Sequence, residues 1–246
     1  MPPPYQPAHW NVFANTPYQA QGPVGVPPAT WRNRFNLGGV PQVGGLPDFH
    51  LDRNAVRAIC RDPRQNVLFG YVCAMAWGGQ GDGNGRRNPI NAWAHAQVIA
   101  VRLTALRMGG LTRSEAYNLF CNGGEIPGLG PSFFTKLLYF FSPTPSFFIM
   151  DQWTAKSVNL LTGTRVVRMY GSSPTRDNTG GNYQAFCEEV DLMAGLIGCA
   201  GQEAEERLFS QGGRHSWPWR AYVAHAPPPP RYNAAQMRGN YPHIHF

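Results

Sequence analysis

The chain contains little that would support disulfide bonds or a metal centre. Its five cysteines include no Cys-x-x-Cys pair and are odd in number. Disulfide frameworks usually use an even count, and metal sites use closely spaced pairs. A His-x-His pair, His243 and His245, offers fewer ligands than a zinc site needs, so we expect no metal. We interpret all the cysteines as free thiols of a protein in a reducing cytoplasm: Cys60, Cys73, Cys121, Cys187 and Cys199.

Long apolar runs are also missing. No stretch reaches the eighteen or so apolar residues that a membrane span needs, and no cationic start precedes an apolar run. We therefore expect no membrane insertion and no secretion, and a cytoplasmic monomer.

Charged residues are scarce, at 14% of the chain, and lysine is scarcer still. Lys136 and Lys156 are the two lysines, against nineteen arginines, and the net charge is +7. An excess of arginine fits a polyanionic partner such as nucleic acid. The alternative is a generally basic protein with no such partner, and the charge alone does not separate the two.

Proline and glycine concentrate at the two ends of the chain. Residues 1–48 are rich in Pro, Gly, Gln and Asn, which predicts an extended strap without regular helices. Residues 223–246 contain a run of four prolines and are predicted to be a flexible tail. Residues 49–222 are predicted to form one helical domain.

Helix signals fill this middle region. Asp52 is placed to cap one helix, and Thr112 with Glu115 forms the capping box of another. Apolar periodicity predicts helices over 65–77 and 92–108. Seven or eight helices without a convincing strand make an all-α fold.

A short hairpin at residues 124–131 separates two of these helices. Its glycines, Gly128 and Gly130, leave the backbone open, and Pro131 suits the first position of the helix that follows. The amides of Gly128, Gly130 and Ser132 are then expected to converge at a positive helix end. Such an end binds a phosphate through the main chain, so we predict that Gly128, Gly130, Pro131 and Ser132 contact DNA.

The sequence from Ile126 to Gly130, Ile-Pro-Gly-Leu-Gly, resembles the hairpin of the helix-hairpin-helix (HhH-GPD) DNA glycosylases, in particular their 8-oxoguanine glycosylase (OGG) branch. In that family a lysine follows the hairpin, and a catalytic aspartate comes about nineteen residues later. The lysine position falls on Ser132 here, and Asp151 stands nineteen residues further on. The resemblance implies the helix-hairpin-helix glycosylase fold and a catalytic role for Asp151.

The replacement of the family lysine by Ser132 is a departure that leaves the nucleophile open. Lys136 follows one helical turn later, on the same helix face. An amine can attack a sugar carbon, which a guanidinium cannot, so Lys136 is a candidate nucleophile. The alternative is that Lys136 only binds phosphate, in which case water attacks.

Two further groups of residues are candidates for contact with nucleic acid. The Gly-rich segment 78–89 carries Arg86 and Arg87, which are predicted to contact the DNA backbone from a mobile loop; a plain surface loop is the alternative. Trp153 and Trp217, with Ser132, are candidates for the base pocket, although both tryptophans also fit a packing role.

These features together predict an enzyme that flips a modified base out of double-stranded DNA and cleaves its N-glycosidic bond, with or without lyase activity. The resemblance implies no cofactor other than a monovalent cation at the hairpin carbonyls. The base that the resemblance leads us to expect is 8-oxoguanine-like or a modified phage base. Two alternatives stay open: a non-catalytic helix-hairpin-helix module that binds nucleic acid, and a glycosylase-fold protein of an antiviral defence system.

Overall fold

The computed structural model describes residues 4–18, 20–35, 45–80, 87–121, 124–212, 215–216 and 218–227. Two predicted site residues, Arg86 and Trp217, lie outside these ranges, as does most of the predicted tail.

The described residues form twelve helices and four very short strands, so the all-α prediction is confirmed. Strands β1 and β2 pair antiparallel, as do β3 and β4. The strands are β1 (Met169–Tyr170), β2 (Ser173–Pro174), β3 (Gln211–Gly212) and β4 (His215–Ser216). The helices are α1 (Pro7–Asn15), α2 (Pro28–Arg34), α3 (Arg53–Arg61), α4 (Val67–Trp77), α5 (Arg87–Trp93), α6 (Ala96–Met108), α7 (Arg113–Cys121), α8 (Pro131–Phe141), α9 (Gln152–Thr162), α10 (Gly180–Ile197), α11 (Gly201–Phe209) and α12 (Pro218–His225).

Several of the predicted helix ends are confirmed by their capping bonds. The Asp52 carboxylate accepts from the amide of Ala55, 2.7 Å away, at the start of α3. At the start of α7 the amide of Thr112 donates to Glu115 Oε2 over 2.8 Å, and the amide of Glu115 donates to Thr112 Oγ1 over 3.2 Å. These reciprocal bonds satisfy amides that have no partner within the helix.

Helix α8 lies at the centre of the fold, packed against α3, α4, α6 and α7. It is apolar on nearly every face, which is typical of a helix surrounded by other helices. Phe134 stacks on Phe120 of α7 and meets Tyr117 of the same helix edge to face, with ring centroids 5.4 and 4.8 Å away. These contacts fix α7 and α8 as the two arms of the hairpin at residues 124–130.

The prediction that residues 1–48 contain no regular helix is wrong, because α1 and α2 both lie there. Each begins with proline, whose missing amide and fixed φ suit the first turn of a helix. Aromatic side chains dock both helices: Phe13 packs 5.1 Å from the Trp219 ring, and Trp31 donates from Nε1 to the carbonyl of Gln80 over 2.8 Å. The segment is therefore part of the folded domain.

Two predicted boundaries also need correction. Arg87 does not lie in a loop, because it is the first residue of α5 and is exposed there. The predicted domain end at residue 222 falls inside α12, whose Trp219 is fully buried. The apolar positions of this short helix are too few to reveal its periodicity in the sequence.

Candidate active site

A cavity of about 690 Å³ opens between helices from distant parts of the chain. Its walls are formed by residues of α3, the end of α4, α8, the start of α9 and α11. Residues of the segment 21–26 also line it. Both predicted catalytic residues, Asp151 and Lys136, line this cavity.

Asp151 is held rigidly as the N-cap of α9. Its Oδ1 accepts hydrogen bonds from the amides of Trp153 (2.8 Å) and Thr154 (3.2 Å). The hydroxyl of Thr154 accepts in turn from the Asp151 amide over 2.9 Å, which completes a capping box. Both backbone bonds fall on Oδ1, and the charge of the carboxylate raises the pKa of both Lys136 and Arg220, against the lowering effect of their burial. A buried carboxylate fixed in this way can stabilise positive charge that develops in the cavity.

Lys136 lies on α8 with only 7% of its surface exposed. Its Nζ donates to the carbonyl of Ser132 over 2.6 Å and lies 5.1 Å from the centroid of the Phe133 ring. Burial lowers the pKa of the Lys136 amine, although the charges of Asp151 and Glu205 act in the opposite direction. A lower pKa increases the fraction of neutral amine, which is the nucleophilic form.

A buried ion pair crosses the floor of the cavity. Arg53 of α3 pairs with Glu205 of α11, which is completely buried. The guanidinium of Arg53 also lies over the rings of Trp77 and Tyr139, 5.4 and 4.9 Å from their centroids. Burial raises the pKa of the Glu205 carboxyl to about 7, against the attraction of Arg53. The pair ties the two walls of the cavity together.

The hairpin beside α8 has the backbone geometry of a tight turn. Gly128 adopts a φ of 80°, a left-handed conformation that favours glycine. A Cβ on Gly128 would lie 2.1 Å from the carbonyl oxygen of Asn88, which shows how closely α5 approaches the hairpin. Gly130 is the N-cap of α8, and a Cβ on it would meet nothing within 4 Å.

The amides of Gly128, Gly130 and Ser132 have no acceptor among the described residues, which is usual where a loop enters the first turn of a helix and leaves these amides able to bind an anion. Arg87 lies one residue from Asn88, so an exposed cation stands close to this hairpin. The predicted DNA-contacting residues that the structure describes are therefore neighbours in space.

Two predicted base-pocket residues stand apart from the cavity. Neither Ser132 nor Trp153 is among the described residues that line it. Trp153 is half-buried, and its ring lies 4.7 Å from the Arg220 guanidinium and 5.1 Å from the Lys156 amine. Ser132 accepts a hydrogen bond from Lys136 through its backbone carbonyl, and its side chain does not line the cavity.

The structure adds site residues that sequence patterns did not indicate. The segment 21–26 enters the cavity wall because the Val26 amide donates to the Ala76 carbonyl (3.2 Å) and the Gln21 amide donates to Glu206 (3.3 Å). Gly25, with a φ of 74°, would place a Cβ 2.1 Å from the same Ala76 carbonyl. None of these long-range contacts can be predicted from local periodicity. Gly25 itself was visible in the sequence, but nothing near it in the chain indicated its contact with Ala76.

The hairpin carbonyls do not fit a monovalent cation. The carbonyls of Ile126 and Leu129 both accept from one nitrogen of Arg176, at 2.9 and 3.2 Å. A positive ion at these oxygens would have to displace a positive side chain.

The described residues contain no cluster of side chains suited to a metal, and none of the helices among them combines the length and apolar character needed to cross a bilayer.

An all-α fold in which helix α8 joins a tight hairpin to a cavity holding an aspartate and a lysine is typical of the helix-hairpin-helix glycosylase class. Residues 17–209 match the family described as "Putative 8-oxoguanine DNA glycosylase OGG-like protein". The match covers more than half of the chain, so the chain belongs to this family. Comparisons with curated proteins and with solved structures gave no match.

Proposed function

We propose that this protein is a DNA glycosylase that flips a modified base into the 690 Å³ cavity and cleaves its N-glycosidic bond. The observation that carries the proposal is the presence of Asp151 and Lys136 in one cavity beside a hairpin with available amides. Family membership supports a glycosylase-type function, and the cavity supports the finer assignment of roles. Flipping is needed because the duplex hides both the base and its sugar carbon.

Lys136 is proposed as the nucleophile, although it lies one helical turn after Ser132, the position at which the family has its lysine. Side chains on a helix lean toward its N-terminus, so the amine of Lys136 reaches back to the turn that contains Ser132. The distance of 2.6 Å from Nζ to the Ser132 carbonyl shows this directly. The amine therefore lies within one helical turn of the position at which the family has its lysine, and Lys136 lines the cavity.

The proposed reaction conserves atoms and charge. The lone pair of Lys136 Nζ bonds to C1′ of the sugar, and the bond from C1′ to the base breaks. The bonding electrons leave with the base. Asp151 stabilises the positive sugar of the transition state and accepts the first proton that the attacking amine loses, and this proton passes to the departing base. The second amine proton goes to the ring oxygen O4′ as the sugar ring opens, which leaves an imine between Lys136 and C1′.

The cavity wall suggests how the base is recognised. The segment 21–26 lines the same cavity as Asp151 and Lys136 and presents mostly apolar groups and backbone, among them Pro23 and Val24. The pair of Arg53 and Glu205 offers both hydrogen-bond donors and acceptors at the floor. A modified purine such as 8-oxoguanine is the proposed base, and a modified phage base is the alternative.

Base release from defined duplexes tests the proposal. Duplexes with a single 8-oxoguanine or another modified base are incubated with the protein, and the free base is measured before and after alkali. Borohydride added during the reaction reduces an imine to a stable amine, so a covalent protein–DNA adduct is expected from the wild type. Lys136→Gln is expected to abolish that adduct. Binding without release of any tested base would favour the non-catalytic module.

A further inference from the structure

The side chain of Arg176 lies behind the hairpin, on the side away from its available amides. Arg176 is in the turn between β2 and α10, far from the hairpin in sequence. Its Nη2 donates to the carbonyls of Ile126 and Leu129, and its Nη1 lies 3.2 Å from the carboxylate of Glu125. One guanidinium therefore holds both ends of the tight turn.

Two other side chains donate hydrogen bonds to neighbouring carbonyls of the same hairpin. Arg102 of α6 donates from Nη2 to the Gly124 carbonyl over 2.9 Å. Gln80, which follows α4, donates from Nε2 to the Gly128 carbonyl over 3.0 Å. The carbonyls of the turn thus meet side-chain donors, two of which are cationic. The Leu129 amide donates to the Ile126 carbonyl within the turn, and the amides of Gly128, Gly130 and Ser132 are left for a ligand.

We propose that Arg176 acts as a built-in cation of the hairpin: it takes the place of a bound monovalent ion and positions the turn for a phosphate. The inference rests on the proposed function, because the phosphate is that of DNA. It makes Arg176 a positioning residue, which acts on the ligand through the backbone of the turn.

The geometry gives this effect a physical basis. The Leu129 carbonyl and the Gly130 amide belong to the same peptide unit, so a cation at the oxygen draws electron density from the nitrogen. The Gly130 N–H then becomes a stronger donor to an anion. A guanidinium can perform this role without dissociating, because it is charged at every physiological pH and carries several donors in a fixed plane.

Replacement of the cation in the buffer tests the inference. Duplex affinity is measured at one ionic strength in potassium, sodium or tetramethylammonium chloride, the last being too large for a carbonyl site. Wild type is expected to bind equally in all three. Arg176→Met is expected to bind about ten-fold more weakly in tetramethylammonium, because two charge-assisted bonds are lost. Potassium is expected to restore part of that affinity, since the vacated carbonyls can now accept an ion.

Two further variants sharpen the test. Arg64→Gln removes one positive charge from a side chain that is 88% exposed and pairs with Asp62, so its affinity change measures the general effect of charge. Arg176→Lys keeps a cationic donor and is expected to remain independent of the buffer cation. The inference is overturned if wild type weakens several-fold in tetramethylammonium, or if Arg176→Met binds as tightly as Arg64→Gln.

A measurement without DNA keeps this inference separate from the proposed function. The unfolding temperature of wild type is expected to be the same in potassium and tetramethylammonium, whereas that of Arg176→Met is expected to be higher in potassium. Equal unfolding temperatures for the variant in both salts would refute the built-in cation. Failure of wild type to bind duplex DNA at all would refute the proposed function and leave this thermal result to decide the inference.

Discussion

Asp151 serves as a helix cap and, in the proposed mechanism, as the catalytic carboxylate, and a single substitution separates the two roles. Asp151→Asn keeps an oxygen that can accept from the amides of Trp153 and Thr154, at present 2.8 and 3.2 Å from Oδ1. The variant should therefore fold with nearly unchanged stability. It cannot stabilise a positive sugar, and the loss of such an electrostatic group lowers rates by about 100- to 1,000-fold. Single-turnover release of the base measures this loss.

Two controls make the result specific to the cavity. Asp151→Ala removes the cap as well, which should lower the free energy of unfolding by about 0.5–2 kcal/mol. Asp52→Asn changes another capping aspartate, whose carboxylate accepts from the Ala55 amide on an exposed helix end. It should leave base release unchanged. If Asp151→Asn keeps wild-type base release while folding normally, the assignment of Asp151 as the catalytic carboxylate is refuted.

Further predictions concern the hairpin and the amine. Gly130→Ala should weaken duplex binding without loss of stability, because its Cβ meets no protein atom but would approach the phosphate; equal affinity would count against a main-chain clamp. Gly128→Ala should instead lower the unfolding temperature, since its Cβ would lie 2.1 Å from the Asn88 carbonyl. Duplex affinity should fall by about 0.9 log units per log unit of salt for each phosphate contacted, and a flat response would indicate another kind of ligand. Borohydride trapping should rise with pH through a midpoint below the usual lysine pKa of about 10.4, because burial lowers the pKa of Lys136 and neutral amine is the reactive form; a midpoint at or above that value would contradict the burial argument.

The sequence allowed prediction of those features that depend on local chemistry. Asp151 could be found because the cap and its spacing from the hairpin are both local, and Lys136 because a helical turn relates it to Ser132. Arg176 could not be found, since it bonds to carbonyls 47 and 50 residues earlier in the chain. The helices at residues 7–15 and 28–34 were missed because prolines were weighed as helix breakers, whereas here they occupy the first turn. The roles of Asp151, Lys136 and the hairpin amides stay predictions until they are measured.

The hydrogen bonds and ion pairs in the cavity explain how the Asp151 carboxylate and the Lys136 amine can both line it without forming an ion pair with each other. Glu205 is paired with Arg53, and the rings of Trp77 and Tyr139 hold that guanidinium in place. Arg53 is therefore held by Glu205 and by the two rings rather than by Asp151. The amine of Lys136 is bonded to the Ser132 carbonyl rather than to Asp151, whose Oδ1 is engaged by the α9 amides. Breaking a buried pair by removing one partner costs about 3–5 kcal/mol, so loss of Glu205 would loosen the cavity walls. It would leave Arg53 with Glu206, whose Oε1 lies 3.4 Å from its Nε, as the remaining carboxylate partner. The buried pair thus preserves the separation of charge that the proposed attack by Lys136 requires.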